Sequence, residues 1–334
     1  MKNRNVGIDL LRIIFSFFVV CIHCRPVFIL QQHSNVNALL LPILYACNSG
    51  FFILSGYFSL DNVDYIKKWY FKKIRNLLIP WGIYSLIVYI WEIWYNKQSF
   101  AFFFRNFIVA FISGNIAEHF WFMYALAGMM LSAPFISKLF SLLSKNQIKG
   151  LFCIAIFFLQ FQIVLGYYGI NFAFSFIING WMVVFCSGFY IRKILSKNNL
   201  LLIFGVLGYI ISVILVRFFP TFEHSYDWSI VYIIFCCAIV IVFSKLIKVK
   251  SEKASLALSI LSKYTFSIYM IHFVVTSYIP YYYFPHLNVW GQYIVVSILV
   301  YLTSFVAALV IDNTIVKIVK NIYDKILGKL LIKL

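Results

Sequence analysis

Charged residues are scarce in this sequence, and acidic residues are the scarcest. Asp, Glu, Lys and Arg make up 11% of the 334 residues, and only 10 residues are Asp or Glu. A soluble domain carries about 25% charged residues, so the composition excludes an ordinary soluble protein. The 63% of residues that are hydrophobic indicate a polytopic membrane protein instead.

Long polar segments are also missing, which excludes a separate soluble domain between the apolar runs. The runs have near-spanning length and fall at about 8–30, 38–59, 77–95, 119–137, 150–168, 176–191, 199–216, 228–245, 260–279 and 289–311. We therefore predict an all-α integral membrane fold, a bundle of about ten transmembrane helices. The more polar run at 100–113 is interpreted as a segment packed at the outer surface.

The cysteine pattern lacks the features of a disulfide framework or a metal site. All seven cysteines lie in or beside apolar runs, unlike those of small secreted proteins. Cys21 and Cys24 flank His23 with C-x-x-C spacing, but a metal site needs further ligands. We predict that the cysteines are packed in helices and that no metal is bound.

Basic residues are abundant and unevenly placed. With a cytoplasmic N-terminus, 23 of the 28 Lys and Arg residues fall in cytoplasmic segments and four, Arg25, Lys97, Arg105 and Arg217, in outer segments. This asymmetry follows the positive-inside rule and predicts that both termini are cytoplasmic. It accounts for the net charge of +18 without nucleic acid as a partner. Residues 1–311 form the predicted membrane domain, and 312–334 a basic amphipathic cytoplasmic tail helix on anionic lipid.

The first apolar run carries a stripe of polar residues. Asp9, Arg12, Ser16 and His23 lie within about 60° of arc on a helix, and Arg12 and His23 are about 16 Å apart along it. An ionised group at the centre of a span costs about 2.5–3.5 kcal/mol, so the stripe must face protein or water. It is either an ion pair that orients helices or a functional site.

Two further stretches lie toward the predicted cytoplasmic side. Ser55 and Gly56 interrupt an apolar run, which favours close helix packing or a close backbone approach to a ligand. Lys68, Lys72 and Arg75 share one helical stripe. This stripe predicts either anchoring to anionic lipid or a site for a multiply phosphorylated ligand.

Two more stretches place histidines near or inside the membrane. Glu118 and His119 begin a span together with Trp121 and Tyr124, and Tyr269 and His272 lie inside a later span. An aromatic belt at the membrane interface accounts for Trp121 and Tyr124. It does not account for the acid and the histidines, which are candidates for chemistry.

In this order, the stretches resemble motifs of the membrane acyltransferase-3 family. The first run is similar to its Arg-x10-His motif, and the others are FFILSGYF at 51–58, KKIRNLLIPW at 72–81, HFWFMYALAGMMLSAPFI at 119–136 and LSKYTFSIYMIHFVV at 261–275. Lys72 departs from the pattern, since a second Arg is common there. The five similarities extend over residues 9–275.

The resemblance implies an enzyme of the cell membrane that moves an acyl group, usually acetyl from acetyl-CoA, to a hydroxyl of an extracytoplasmic or lipid-linked surface polysaccharide. His23 would be the base or transient acyl carrier, with Arg12 and Asp9 as its catalytic partners. The phosphorylated donor would be held by Lys68, Lys72, Arg75 and Ser55. The acceptor path would be lined by Glu118, His119, Trp121, Tyr124, Tyr269 and His272.

Two other classes remain open from the sequence. A transporter or flippase for a lipid-linked sugar or a small anion would show repeated halves with broken spans, and no internal repeat is visible in this sequence. A polysaccharide polymerase would carry a larger basic outer loop, whereas the longest outer segment holds only Lys97 and Arg105.

Overall fold

The structure, a computed structural model, describes residues 4–25, 34–61, 63, 65–170, 179–194, 200–219 and 226–331. Parts of several predictions lie outside these residues. They are the ends of the first and sixth predicted runs (26–30 and 176–178) and parts of three segments that are predicted to connect runs on the outer side (31–37, 169–175 and 217–227). The predicted cytoplasmic cations Lys2, Lys197 and Lys333 also lie outside the described residues.

The described residues form helices and no strands. The helices are α1 (Val6–His23), α2 (Ser34–Ser59), α3 (Ile66–Lys73), α4 (Ile79–Tyr95), α5 (Phe103–Ser113), α6 (Trp121–Leu142), α7 (Lys145–Tyr167), α8 (Gly180–Lys193), α9 (Leu200–Phe218), α10 (Ile230–Ile241), α11 (Glu252–Leu261), α12 (Thr265–Thr276), α13 (Val289–Ile311) and α14 (Lys317–Leu331). Three π-helical turns, at Ile74–Leu78, Val242–Leu246 and Asp312–Val316, extend or join helices. The all-helical class predicted from the sequence is thus confirmed for the described part of the chain.

Side-chain caps define where several helices begin. The Asn5 side chain accepts a hydrogen bond from the backbone N–H of Ile8 at the start of α1. Ser144 and Gln147 form a reciprocal capping box at the start of α7. Ser and Asn compete with the helical backbone in helix interiors but satisfy its orphan N–H groups at the first turn.

Within the described ranges, seven helices are long and apolar enough to cross a membrane, or eight if α11 and α12 count as one bent span. The molecule is therefore a multi-pass membrane protein, but the count of ten is not confirmed. Gly180–Lys193 has 14 residues, and Ile230–Leu246 is one of the shorter apolar helices. Both segments are recognised in the sequence by their apolar composition. Composition does not fix the residues at which a helix begins and ends, so it does not give the length of the helix.

The chain divides into two compact units. Unit one comprises Met1–Asp64 and Met129–Ser262, and unit two comprises Tyr65–Gly128 and Lys263–Leu334.

Unit one is held together by close helix crossings at glycines. A Cβ added at Gly56 would lie 1.7 Å from the carbonyl oxygen of Phe185, and one at Gly188 would lie 2.0 Å from that of Ile53. A Cβ at Gly208 would lie 2.2 Å from the carbonyl oxygen of Val231. Small residues are favoured where membrane helices pack backbone to backbone, so α2 meets α8, and α9 meets α10, at distances that only glycine allows.

Unit two has a partly buried polar cluster that joins three of its elements. Asp312 accepts hydrogen bonds from the hydroxyl of Tyr84 at 3.0 Å and from that of Ser267 at 2.7 Å. Tyr84 is fully buried. This cluster joins α4 and α12 to the π-turn after α13. The chain continues from that turn into the helix α14.

Candidate active site

The polar stripe on α1 lies in unit one, and its members have different surroundings. Asp9 and Ser16 are buried, at 2% and 0% exposure. The Arg12 side chain is about a third exposed, at 36%. His23 is the last residue of α1 and is exposed. The stripe therefore runs from a buried acid to an exposed imidazole.

Asp9 has a closer cationic partner than Arg12. Its Oδ2 lies 2.5 Å from Nε of Arg4, and its Oδ1 accepts from Nη2 of Arg4 at 3.0 Å and from the hydroxyl of Ser262 at 2.9 Å. Arg4 also donates to the Ser262 hydroxyl at 2.7 Å and to the Ser259 carbonyl at 2.9 Å. The hydrogen bond with Asp9 raises the pKa of Arg4. This network fixes the start of α1 to the end of α11.

Arg12 is left with most of its hydrogen-bonding capacity. Its Nη1 is 3.8 Å from Asp9 Oδ1, and its guanidinium carbon lies 5.2 Å from the centre of the Phe58 ring. It makes no hydrogen bond to a side chain or backbone group of the described residues. Because a guanidinium has five N–H donors, Arg12 can still bind an anion or a carbonyl oxygen. The predicted Asp9–Arg12 ion pair is thus only a weak contact, and Arg4 is the main cationic partner of Asp9.

Ser55 and Gly56 lie where α2 crosses α8. Gly56 is buried against the Phe185 carbonyl, and Ser55 is half-buried. Of the two interpretations of this pair, close packing accounts for Gly56. A ligand role for Ser55 stays a prediction.

A second basic cluster in unit one was not singled out in the sequence. Arg192 Nη2 and Lys193 Nζ each lie 2.8 Å from a different carboxylate oxygen of Asp61. Arg192 also donates to the Tyr57 carbonyl at 2.8 Å and lies over the Tyr57 ring. In the sequence, Arg192 and Lys193 were visible only as two of many predicted cytoplasmic cations, since Asp61 is far from them along the chain.

In unit two, the predicted histidines His119 and His272 lie together. Their ring centres are 5.0 Å apart, and their exposures are 3% and 0%. Nδ1 of His272 is 2.7 Å from the Tyr269 carbonyl oxygen, and the Tyr269 hydroxyl donates to the His119 carbonyl. Because a carbonyl oxygen only accepts, Nδ1 must carry the proton, and in a neutral ring Nε2 is the basic nitrogen.

The aromatic residues near His119 differ in exposure. Tyr124 packs edge-on against Trp81, with ring centres 4.8 Å apart, and donates a hydrogen bond to the Phe111 carbonyl of α5. Trp121 is exposed, at 41%, and so is Glu118. Tyr124 therefore anchors α5, while Trp121 and Glu118 lie at the surface of the described structure.

The basic stripe Lys68, Lys72 and Arg75 also belongs to unit two. Lys68 and Lys72 are exposed. Arg75 is paired with Asp324 of α14, through Nε at 2.7 Å from Oδ1 and Nη2 at 2.8 Å from Oδ2. Asp324 was not part of the predicted site, because residues so distant in sequence show no pattern that joins them.

None of the described residues form a cluster of three or more His, Cys, Asp or Glu placed to hold a metal ion. Cys21 and Cys24 are both buried.

Comparison with known proteins gives one match. A family model described as an acyltransferase domain, that of acyltransferase-3, matches residues 5–310. No curated protein and no solved structure matches the chain. The matched region contains every residue of the predicted site.

Proposed function

Because the chain belongs to the acyltransferase-3 family, we propose that it transfers acetyl from acetyl-CoA to a hydroxyl of an extracytoplasmic or lipid-linked surface polysaccharide. At the coarser level it is a multi-pass membrane acyltransferase. The observation that supports the proposal best is the arrangement on α1. An arginine with spare hydrogen-bond donors and an exposed histidine lie on one helix, while the neighbouring carboxylate is bound by Arg4.

The chemistry needs a base and stabilisation of an oxyanion, since a thioester is already activated. His23 takes the proton of the acceptor hydroxyl as the new C–O bond forms and the C–S bond breaks. The proton ends on the coenzyme A thiolate. In the second form of this mechanism, His23 carries the acetyl group between donor and acceptor. Arg12 holds the donor or polarises its carbonyl, and Asp9 and Arg4 keep α1 in position.

The donor arrives from the cytoplasm, where the positive-inside rule puts Lys68, Lys72 and Arg75. Lys68 and Lys72 are exposed and can meet a phosphate directly, whereas Arg75 would first exchange its contact with Asp324. Ser55, one turn before Phe58 on α2, is the remaining residue assigned to the donor from the sequence.

The acceptor meets the outer side of the protein. Glu118 and Trp121 are exposed, and the positive-inside rule predicts that they lie on the outer side. The remaining residues that would shape the acceptor path are His119, Tyr124, Tyr269 and His272. The acceptor is a polysaccharide or a lipid-linked glycan, and the protein acts in the cell membrane in contact with anionic lipid.

The proposal is tested with purified protein, acetyl-CoA and extracted surface glycan. His23→Ala should lower acetyl transfer by about 10²–10⁴-fold, the usual loss when a general base is removed. His286→Ala is the matched control, because His286 is exposed and outside the proposed site, and it should keep full activity. Equal transfer by the His23→Ala and wild-type proteins would exclude His23 as base or acyl carrier. Wild-type protein that transfers nothing from acetyl-CoA would contradict the proposed reaction.

A further inference from the structure

In unit one, two arginines stack on two consecutive aromatic residues of α2. Arg12 lies over Phe58 with 5.2 Å from the guanidinium carbon to the ring centre, and Arg192 lies over Tyr57 at 5.1 Å. The Tyr57 and Phe58 rings are in edge contact with centres 5.1 Å apart. A continuous row of guanidinium groups and rings therefore leads from the proposed catalytic helix to the end of α8.

The row ends in two cations that hold one oxyanion. Lys193 Nζ binds Oδ1 of Asp61 and Arg192 Nη2 binds Oδ2, both at 2.8 Å. The two donors are therefore spaced to engage two oxygens of a single anion at once. The three groups together keep one net positive charge, and all are partly exposed, at 32%, 47% and 36% for Arg192, Lys193 and Asp61.

The crossing of α2 and α8 sets the position of Arg192 and Lys193. Gly188 lies against the backbone of α2 at Ile53 and Tyr57, where a Cβ would have no room. Arg192 follows one helical turn later and therefore reaches the Tyr57 carbonyl and ring. The close crossing of α2 and α8 thus aims the end of α8 at the end of α2.

We propose that Arg192 and Lys193 bind the 3′-phosphate of the coenzyme A donor and that Asp61 occupies the same donors when coenzyme A is absent. The inference rests on the proposed function, because it assigns a subsite to the donor of that reaction. A phosphate offers more oxygens and more negative charge than a carboxylate, and Arg and Lys are its usual partners in proteins. The sequence alone assigned the phosphates of the donor to Lys68, Lys72 and Arg75, and the proposal gives the 3′-phosphate to Arg192 and Lys193 instead.

Competition between Asp61 and the phosphate makes this site distinguishable from a structural salt bridge. Removal of either partner of a structural bridge breaks the same contact and should change coenzyme A affinity in the same direction. In the proposed site, Lys193→Gln removes a ligand of the phosphate, whereas Asp61→Asn removes its competitor. The two substitutions should therefore have opposite effects on affinity.

The experiment is calorimetric titration of the full-length protein in detergent with coenzyme A and with 3′-dephospho-coenzyme A, which lacks only the 3′-phosphate. The wild-type protein should prefer coenzyme A. Lys193→Gln should weaken coenzyme A binding about tenfold, the size of one charge-assisted contact, and leave dephospho-coenzyme A binding within twofold. Asp61→Asn should tighten coenzyme A binding severalfold, and Lys193→Arg should restore the preference. Lys149→Gln, an exposed lysine of α7 in the same unit, is the control and should behave as the wild-type protein.

The outcomes separate this inference from the proposed function. Equal wild-type affinity for the two ligands, no detectable coenzyme A binding, or a loss of coenzyme A affinity in both Lys193→Gln and Asp61→Asn would overturn the 3′-phosphate site. Wherever coenzyme A still binds, acetyl transfer that depends on His23 would continue to support the proposed function. A preference that disappears in Lys193→Gln, in a protein that transfers no acetyl group, would support the site and contradict the reaction.

Discussion

Polar residues on α1 differ in the number of contacts that the surrounding protein makes with them. Asp9 is buried and receives a two-point contact from Arg4 together with a hydrogen bond from Ser262. Arg12, only three residues further on, keeps its donors. An ionised carboxylate in a membrane helix is expensive unless it is paired, so Arg4 stabilises the charge that the sequence puts at Asp9 and leaves Arg12 available.

Arg4→Gln should destabilise the protein, because it leaves the buried Asp9 with a weaker partner. A hydrogen bond to a charged group contributes about 1.5–3 kcal/mol, so the apparent melting temperature, followed by tryptophan fluorescence in detergent, should fall by several degrees. Adding Asp9→Asn should recover part of the loss. Arg75→Gln is the control, since exposed ion pairs such as Arg75–Asp324 contribute about 1 kcal/mol or less. A loss in Arg75→Gln as large as that in Arg4→Gln would contradict this view of Asp9.

Asp227 is a second buried acid, and it lies in the short turn before α10. Its exposure is 7%, and Oδ1 is buried without a hydrogen-bond partner in the described part of the chain. Burial raises the pKa of Asp227 to about 8. The folded protein therefore holds this proton more tightly than the unfolded chain, whose Asp residues have a pKa of about 3.9.

The pH dependence of stability follows from this difference. The contribution of Asp227 is fully present below the unfolded pKa and is lost as pH rises to about 8. Asp227→Asn, which resembles the neutral acid, should make the protein more stable than wild type at pH 8, by about 2 °C or more in melting temperature. The difference should shrink at pH 5. A difference that stays constant between these pH values would show that Asp227 is already ionised in the fold.

At the scale of helices, glycine decides which elements can touch. The α2–α8 crossing uses Gly56 and Gly188, and each glycine faces a backbone carbonyl of the other helix. In the sequence, the Ser55–Gly56 pair predicts close packing but does not identify the partner helix. The partner is decided by Gly188, which carries no distinguishing pattern.

Gly188→Ala should be strongly destabilising, since the new Cβ would meet the Ile53 oxygen at 2.0 Å and the Tyr57 nitrogen at 2.4 Å. Overpacking typically costs about 1–3 kcal/mol, and here the obstacle is backbone, which yields less than a side chain. Gly150→Ala in α7 is the matched control because no atom lies within 4 Å of its added Cβ. It should be neutral or stabilising by up to about 1 kcal/mol. Melting temperatures of the two variants give the comparison, and equal effects would contradict the crossing.

At the scale of the whole molecule, charge distribution predicts how the chain lies in the membrane. Four of the 28 Lys and Arg residues fall in the predicted outer segments. Seven or eight of the described helices can span a membrane. An even total number of spans puts both ends of the chain on the same side of the membrane, and an odd total puts them on opposite sides. The helical run Val289–Leu327 continues from the last predicted span into the tail, so the side on which the tail lies follows from the side on which α13 ends.

Reporter fusions should place both ends of the chain in the cytoplasm, as the positive-inside rule requires. A fluorescent reporter that matures only in the cytoplasm should be bright at either terminus. The same reporter inserted beside Lys97 should be dark, since that connection is predicted to lie outside. Termini on opposite sides would mean an odd number of spans and would exclude the predicted topology, an even number of spans with both termini in the cytoplasm.

The sequence alone was sufficient for the helical membrane class, the family and a short set of candidate residues. Apolar composition and the period of a helix are local properties, so they can be read from consecutive residues. The resemblance to acyltransferase-3 depended on motifs such as Arg12 and His23, which are also local, and the family match over residues 5–310 bears it out.

Only the tertiary structure decided which distant polar and charged groups contact one another. Arg4 with Ser262, Asp61 with Arg192, and Arg75 with Asp324 are each joined across more than a hundred residues of sequence. No periodicity links such distant residues, because their contact depends on how helices cross and therefore on glycines such as Gly188. The sequence placed polar groups in an apolar chain, and packing determined that Asp9 is bound by Arg4 while Arg12 keeps most of its hydrogen-bond donors.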